Sequence, residues 1–169
     1  MEQSLENRPD LKNRIIRFYN LHKKKILIFI FILIIVLTTF IFLKYKSEKN
    51  NILIAEKYIE AGLNLSSNNK DNARKTYEEI ILKKNKFYSI LALNTVIEKN
   101  LIVDKEKILK YFEILEKSST LKEQKDLIVF KKSLYLIKEG DFENGKNLLE
   151  KLISNDSALK SIAKELIQN

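Results

Sequence analysis

The sequence predicts an all-α protein in two parts, one N-terminal transmembrane helix and then an α-solenoid of about three helical pairs closed by a capping helix. Three observations carry this. Residues 26–43 (ILIFIFILIIVLTTFIFL) hold sixteen apolar side chains, two threonines and no charge, the pattern of one membrane-spanning helix. Beyond that run there is no proline, Pro9 being the only one in the chain, and the breaks are short polar clusters, the punctuation of helices joined by tight turns. Apolar residues recur there at helical spacing in units offset by 35 and 37 residues. The expected organisation is a cytoplasmic basic tail (1–25), the transmembrane helix (26–43), a linker (44–51) and a helical domain (52–169).

At ~1.5 Å per residue the apolar run covers roughly 27 Å, close to the ~30 Å hydrocarbon core. Lys44, Tyr45 and Lys46 reach headgroup level and complete the span. A cleaved secretory signal is the competing interpretation. Against it stand the 25 residues before the run, the length of the run and an exit (TTFIFLKYKSEKN) without a small-x-small cleavage site. A core helix of a soluble protein would not be apolar on every face. Residues 6–25 hold seven basic side chains (Arg8, Lys12, Arg14, Arg17, Lys23, Lys24, Lys25) against four in residues 44–63 (Lys44, Lys46, Lys49, Lys57). The N-terminus is therefore expected in the cytoplasm, and residues 44–169 on the far side, in the periplasm of a Gram-negative cell.

The first helix of the domain is expected over about 52–66, with Ala55, Tyr58, Ile59, Gly62 and Leu65 inward, and the second over about 71–84, with Ala73, Tyr77, Ile80 and Ile81 inward. A third, about 87–100, is apolar nearly all round and should be central. The fourth, about 104–117, starts behind Asp104 as N-cap and turns Ile108, Phe112 and Leu115 inward. Thr120 and Glu123 form a T-x-x-E capping box for a fifth helix that ends at Gly140, a suitable C′ residue. Helix six, about 142–153, buries Phe142, Gly145, Leu149 and Leu152, and helix seven, about 157–167, buries Leu159, Ile162, Ala163 and Leu166.

The formal net charge of +9 divides into +4 on the tail and +5 on residues 44–169. The lysines of the latter are scattered among glutamates, as on solvated helix faces, and nucleic-acid binding is not expected. The excess of lysine over arginine, 27 to 4, is what an AT-rich genome produces. There is no cysteine, hence no disulfide, thiolate metal site or thiol nucleophile. The single histidine, His22, lies beside Lys23 at the membrane edge, so metal sites and His-dependent triads are not expected. Three glycines cannot build a phosphate loop or a dinucleotide fingerprint. No catalytic residue, cofactor or metal is expected, and an enzyme is the least favoured class.

The helical pairs repeat. Ala73, Ile108 and Gly145 occupy one equivalent position, Tyr77, Phe112 and Leu149 follow four residues later, and Ile80, Leu115 and Leu152 three after that. The tetratricopeptide repeat has a period of ~34 and the same second-helix order of small, aromatic and apolar residues. The clearest copy, KEGDFENGKNLLEKLISND at residues 138–156, resembles the K-x-G-D-[YF]-x-x-A segment of that repeat, with Gly145 in place of alanine. The fold expected is thus a tetratricopeptide-repeat-like α-solenoid behind a membrane anchor. A plain helical bundle with accidental periodicity is the alternative.

With its charged tail bearing Arg14, Arg17, Phe18 and Tyr19, one uncleaved span and degenerate repeats ending in a G-D-F copy, the chain resembles the YfgM-like ancillary subunits of the SecYEG translocon. It is shorter than most of them and lacks their acidic tail stretch. The resemblance implies a non-enzymatic bacterial inner-membrane protein that sits beside the SecYEG translocon, associates with periplasmic folding factors and hands exported client chains onward. A repeat array of this kind binds a peptide or partner helix along its first helices. By repeat position the partner-binding candidates are Ala55, Tyr58 and Gly62, then Leu93 and Ile97, then Phe130, Leu134 and Lys138. Core packing competes with binding at each of them. Two rival assignments use the same anchored repeats: a structural scaffold for cytochrome maturation, cell division or a secretion apparatus, and an import receptor facing the cytosol.

The charge bias makes a topological prediction. Protease added to spheroplasts digests residues 44–169 and spares the tail; a protected C-terminal part would reverse the orientation.

Overall fold

A computed structural model describes residues 11–168, with side chains from Arg14 onward; Arg8 and the rest of the tail before residue 11 lie outside the described residues. Those described are all-α, in seven helices: α1 (Leu11–Ser66), α2 (Lys70–Leu82), α3 (Tyr88–Glu98), α4 (Lys105–Ser118), α5 (Lys122–Lys138), α6 (Phe142–Ser154) and α7 (Lys160–Gln168). The chain divides into two compact units, Met1–Lys49 and Asn50–Asn169.

In the first unit α1 contains an apolar stretch long enough to cross a membrane, none of it buried within the protein. Its two threonines are the polar exceptions, and neither leaves an orphan hydroxyl. Thr38 Oγ1 donates to the Ile34 carbonyl at 2.9 Å and Thr39 Oγ1 to the Ile35 carbonyl at 2.8 Å, so both are satisfied within the helix, as hydrocarbon surroundings require. Residues 44–51, expected as a linker, are helical and belong to α1. KYKSEKNN contains neither glycine nor proline, so nothing in it stops a helix.

In the second unit, consecutive helices pack on one another from α2 to α7, and α2 also touches α4. The larger core cluster joins Ile54 and Ala61 of α1 to Tyr77 and Ile80 of α2, Leu93 and Val96 of α3, Phe112 of α4 and Ile128 of α5. A smaller one gathers Val129, Leu149, Leu152 and Ala163. α3 is central as expected, with no residue from 88 to 97 exposed, but Phe87, at the expected start of the helix, is 64% exposed. All nine positions of the repeat alignment are buried, from Ala73, Tyr77 and Ile80 through Ile108, Phe112 and Leu115 to Gly145, Leu149 and Leu152.

Five of the helix ends follow one rule. A residue with positive φ stands two positions beyond the last helical residue at Asn68, Lys84, Asn100, Gly140 and Asp156. After α5 the Gly140 amide donates to the Ile137 carbonyl at 3.1 Å and the Asp141 amide to the Leu136 carbonyl at 2.9 Å, the paired bonds of a Schellman end. The same pair closes α1, α3 and α6. At α2 the buried Ser89 hydroxyl intervenes, accepting from the Asn85 amide at 2.8 Å and donating to the Ile80 carbonyl at 2.6 Å. Lys84 there carries neither the freedom of glycine nor the local hydrogen bonding that helps asparagine adopt this conformation.

Some expectations are corrected. Asp104 caps α4 through the Lys107 amide at 3.1 Å, but the Thr120–Glu123 box does not form. The N-cap of α5 is Leu121, without a side-chain bond, because the chain leaves α4 extended and starts the helix one residue late for Thr120 to reach it. Ile59 and Phe142 are 62% and 67% exposed rather than inward. The core face of α1 is set by Ile54, Tyr58, Ala61 and Leu65, opposite Ile59, and Phe142 begins α6 ahead of its first buried turn. α7 starts at Lys160, after a Ser157 turn, and docks through Ala163 and Ile167. Ile162 and Leu166 lie on a flank that no described element covers and are exposed.

The two helical glycines differ. A Cβ on Gly145 would sit 2.6 Å from Ile137 Cγ1 and 3.0 Å from the Ser133 carbonyl oxygen, whereas one on Gly62 would meet only the Tyr77 hydroxyl at 3.8 Å. In thermal melts of the detergent-solubilised chain, G145A should lower stability by about 1–3 kcal/mol despite its better helix propensity, and G62A should raise it by up to about 1 kcal/mol. K84G relieves a left-handed lysine and should stabilise by about 0.5–1 kcal/mol.

Candidate partner-binding surface

Of the residues expected to line a groove, the structure assigns several to internal packing. Leu93 is 1% exposed and belongs to the core. Tyr58 is half-buried, its hydroxyl hydrogen-bonded to Thr95 Oγ1 of α3 at 2.9 Å. Its ring stands edge-on to Tyr77 at 5.4 Å and tilted to Tyr88 at 5.9 Å. It ties α1 to α2 and α3. Ile97 is half-buried against the larger cluster and Phe130 against the smaller one, so these residues do not converge on a single cluster.

What remains accessible forms two stripes. On α5, Phe130, Leu134 and Lys138 succeed one another at i, i+4 and i+8, half-buried at Phe130 and exposed at the other two. On the part of α1 beyond Asn50, Ile52, Ile59 and Leu63 are 54%, 62% and 64% exposed. Their spacing of seven and then four residues keeps them on one face, turned away from Ile54, Tyr58, Ala61 and Leu65. Half-buried Ala55 and Gly62 border this stripe, and their small side chains leave room for a partner helix to approach. Ala55 and Gly62 therefore keep an accessible position, in the company of Ile52, Ile59 and Leu63, which the sequence argument did not single out as binding residues. The available signal was the recurrence of Ile52 and Ile59 one heptad apart on a helix already supplied with a complete core face.

Ion pairs join several of the helices. Lys57 Nζ meets Glu79 Oε2 at 2.7 Å between α1 and α2, and Lys107 Nζ meets Glu78 Oε1 at 2.8 Å between α4 and α2. Lys107 also lies over the Tyr111 ring, 6.0 Å from its centroid. Its hydrogen bond to Glu78 raises the Lys107 ammonium above its ordinary value, and burial raises the Tyr111 phenol. Lys105 reaches Asp141, at the start of α6, at 3.5 Å. These pairs are partly solvated and add little stability. Among the described residues no group of three or more His, Cys, Asp and Glu side chains is placed to hold a metal ion.

No protein-family model, curated protein or solved structure matches the chain.

The hydrogen bond from Lys57, with the lysine charge second, holds the Glu79 carboxyl below its ordinary value. A depressed carboxyl contributes stability that is present above its unfolded-state value and lost as pH falls through the lower folded one. E79Q should accordingly lose less stability than the parent chain between about pH 5 and pH 3 in acid melts; equal losses would show that the pair contributes nothing.

Proposed function

We propose that this chain is a non-enzymatic, membrane-anchored protein–protein interaction module, an ancillary subunit of the Sec translocon that assists periplasmic handling of exported proteins. Burial of all nine repeat-aligned positions is the observation that supports its tetratricopeptide-repeat-like solenoid. The close approach at Gly145, where alanine stands in the repeat pattern, agrees with that register. The apolar stretch of α1 supports the anchor, and the basic flank supports an N-terminus in the cytoplasm with the helical domain in the periplasm of a bacterial inner membrane. The assignment to the translocon rests on the resemblance in layout alone.

An anchored array next to a pore exit raises the local concentration of its binding face for chains that emerge there. Ile52, Ile59 and Leu63 on α1, with Leu134 and half-buried Phe130 on α5, supply the accessible apolar contacts such binding needs. The fixed-scaffold alternative has one observation in its favour: the α1 stripe has the spacing of a helix-to-helix contact, which suits a permanent partner.

Photocrosslinking from Ile59 and Phe130 in living cells, read by mass spectrometry, separates the two. Translocon subunits together with many exported chains are the expected products; a single stoichiometric partner at both positions would overturn client handling and support the scaffold.

A further inference from the structure

Residues 11–47 contain no aspartate or glutamate, in contrast to the domain beyond, where lysines and glutamates alternate. Within this stretch Arg14, Arg17, Lys23, Lys24 and Lys25 project from α1, all exposed. Among the described residues every ion pair falls at Lys57 or later. Among the described residues these five cations therefore have no counter-charge, and the anion nearest to a membrane edge is a lipid phosphate.

The side chains around two of these cations have a matching shape. Tyr19, Lys23, Lys24, Ile26, Leu27 and Ile30 line a shallow concavity of about 290 Å³ on α1. Its polar groups all lie at one end, over residues 19–24, and its apolar groups at the other, over residues 26–30, where the uncharged run begins. That order, an aromatic hydroxyl and two ammonium groups followed by branched hydrocarbon, is the order of headgroup and acyl chain in a phospholipid entering the same bilayer. A soluble anion would use only the first half of it, and a zwitterionic lipid would leave the lysines without net compensation.

We infer that Lys23 and Lys24, with Tyr19, hold the phosphate of an anionic phospholipid whose acyl chain lies along Ile26, Leu27 and Ile30. Arg17 and Arg14 add attraction to the same anionic surface about two and two and a half turns farther out. The site rests on the membrane-spanning role proposed for α1, and it gives the anchor a preference for the lipid composition around it.

The test reconstitutes the full chain in phosphatidylcholine vesicles carrying trace spin-labelled phosphatidylglycerol or phosphatidylcholine. Flotation with pure phosphatidylcholine vesicles checks the span independently: a chain that does not float refutes the anchor and the lipid site together. For a chain that floats, the motionally restricted fraction should favour phosphatidylglycerol by at least about threefold, since one lysine near an anionic surface is worth a factor of roughly five. K23Q/K24Q should float equally well and lose most of that preference, leaving only what Arg14, Arg17 and Lys25 contribute. Equal restriction of the two lipids in the parent chain would overturn the site, as would a preference that K23Q/K24Q leaves undiminished. Abolition by inorganic phosphate, at an ionic strength where chloride has no effect, would also overturn it by showing a plain anion site.

Discussion

The helical domain depends on one backbone conformation used repeatedly. After α1, α2, α3, α5 and α6, the residue two places past the helix turns left-handed, bends the chain away from the helix axis and leads it into the next helix within a few residues. Only because the chain turns back so soon can helices of eleven to seventeen residues from α2 to α6 bury one face against their neighbours. The exception is α4, whose end runs out extended through Ser119, and there the next helix begins without a side-chain cap. Asn, Asp and Gly fill four of the five left-handed places, as their local hydrogen bonding or missing Cβ leads one to expect.

Within that frame, side-chain size at one repeated position sets how the helices meet. Alanine at 73, isoleucine at 108 and glycine at 145 are all buried there, and the surroundings differ accordingly. The glycine lets the Ile137 side chain and the Ser133 carbonyl come so close that no Cβ fits between. The smaller cluster around Leu149 and Leu152 is thus brought together by an absent side chain as much as by the present ones.

The second helix of each pair was legible in the sequence because its three seam positions recur at fixed spacing and only one helical face can satisfy all three. α2 shows this most fully, with Ala73, Tyr77, Ile80 and Ile81 all inward. First helices were harder to read. α1 carries apolar residues on two faces, so Ile59 fits a helical spacing as well as Ile54 and Ala61 do, and nothing local decides which face is covered. The Thr120 box failed for a related reason: polar composition permits a cap, but neighbouring turns decide whether it forms. Four of the five left-handed residues were missed, since Asn68, Lys84, Asn100 and Asp156 announce that conformation far less clearly than Gly140 does. Among the groove candidates, Tyr58 and Leu93 were placed on the correct helices, yet periodicity cannot tell a residue facing a partner from one facing the next helix of its own chain.

The Ser89 hydroxyl binds α2 and α3 into one cooperative unit. It stands between the Asn85 amide and the Ile80 carbonyl, so the end of α2 is completed by an atom that α3 contributes. Fraying at this end consequently involves both helices: freeing the Asn85 amide requires the buried Ser89 side chain, in the first turn of α3, to leave its place. The end of one helix and the start of the next are thereby held by a single hydroxyl.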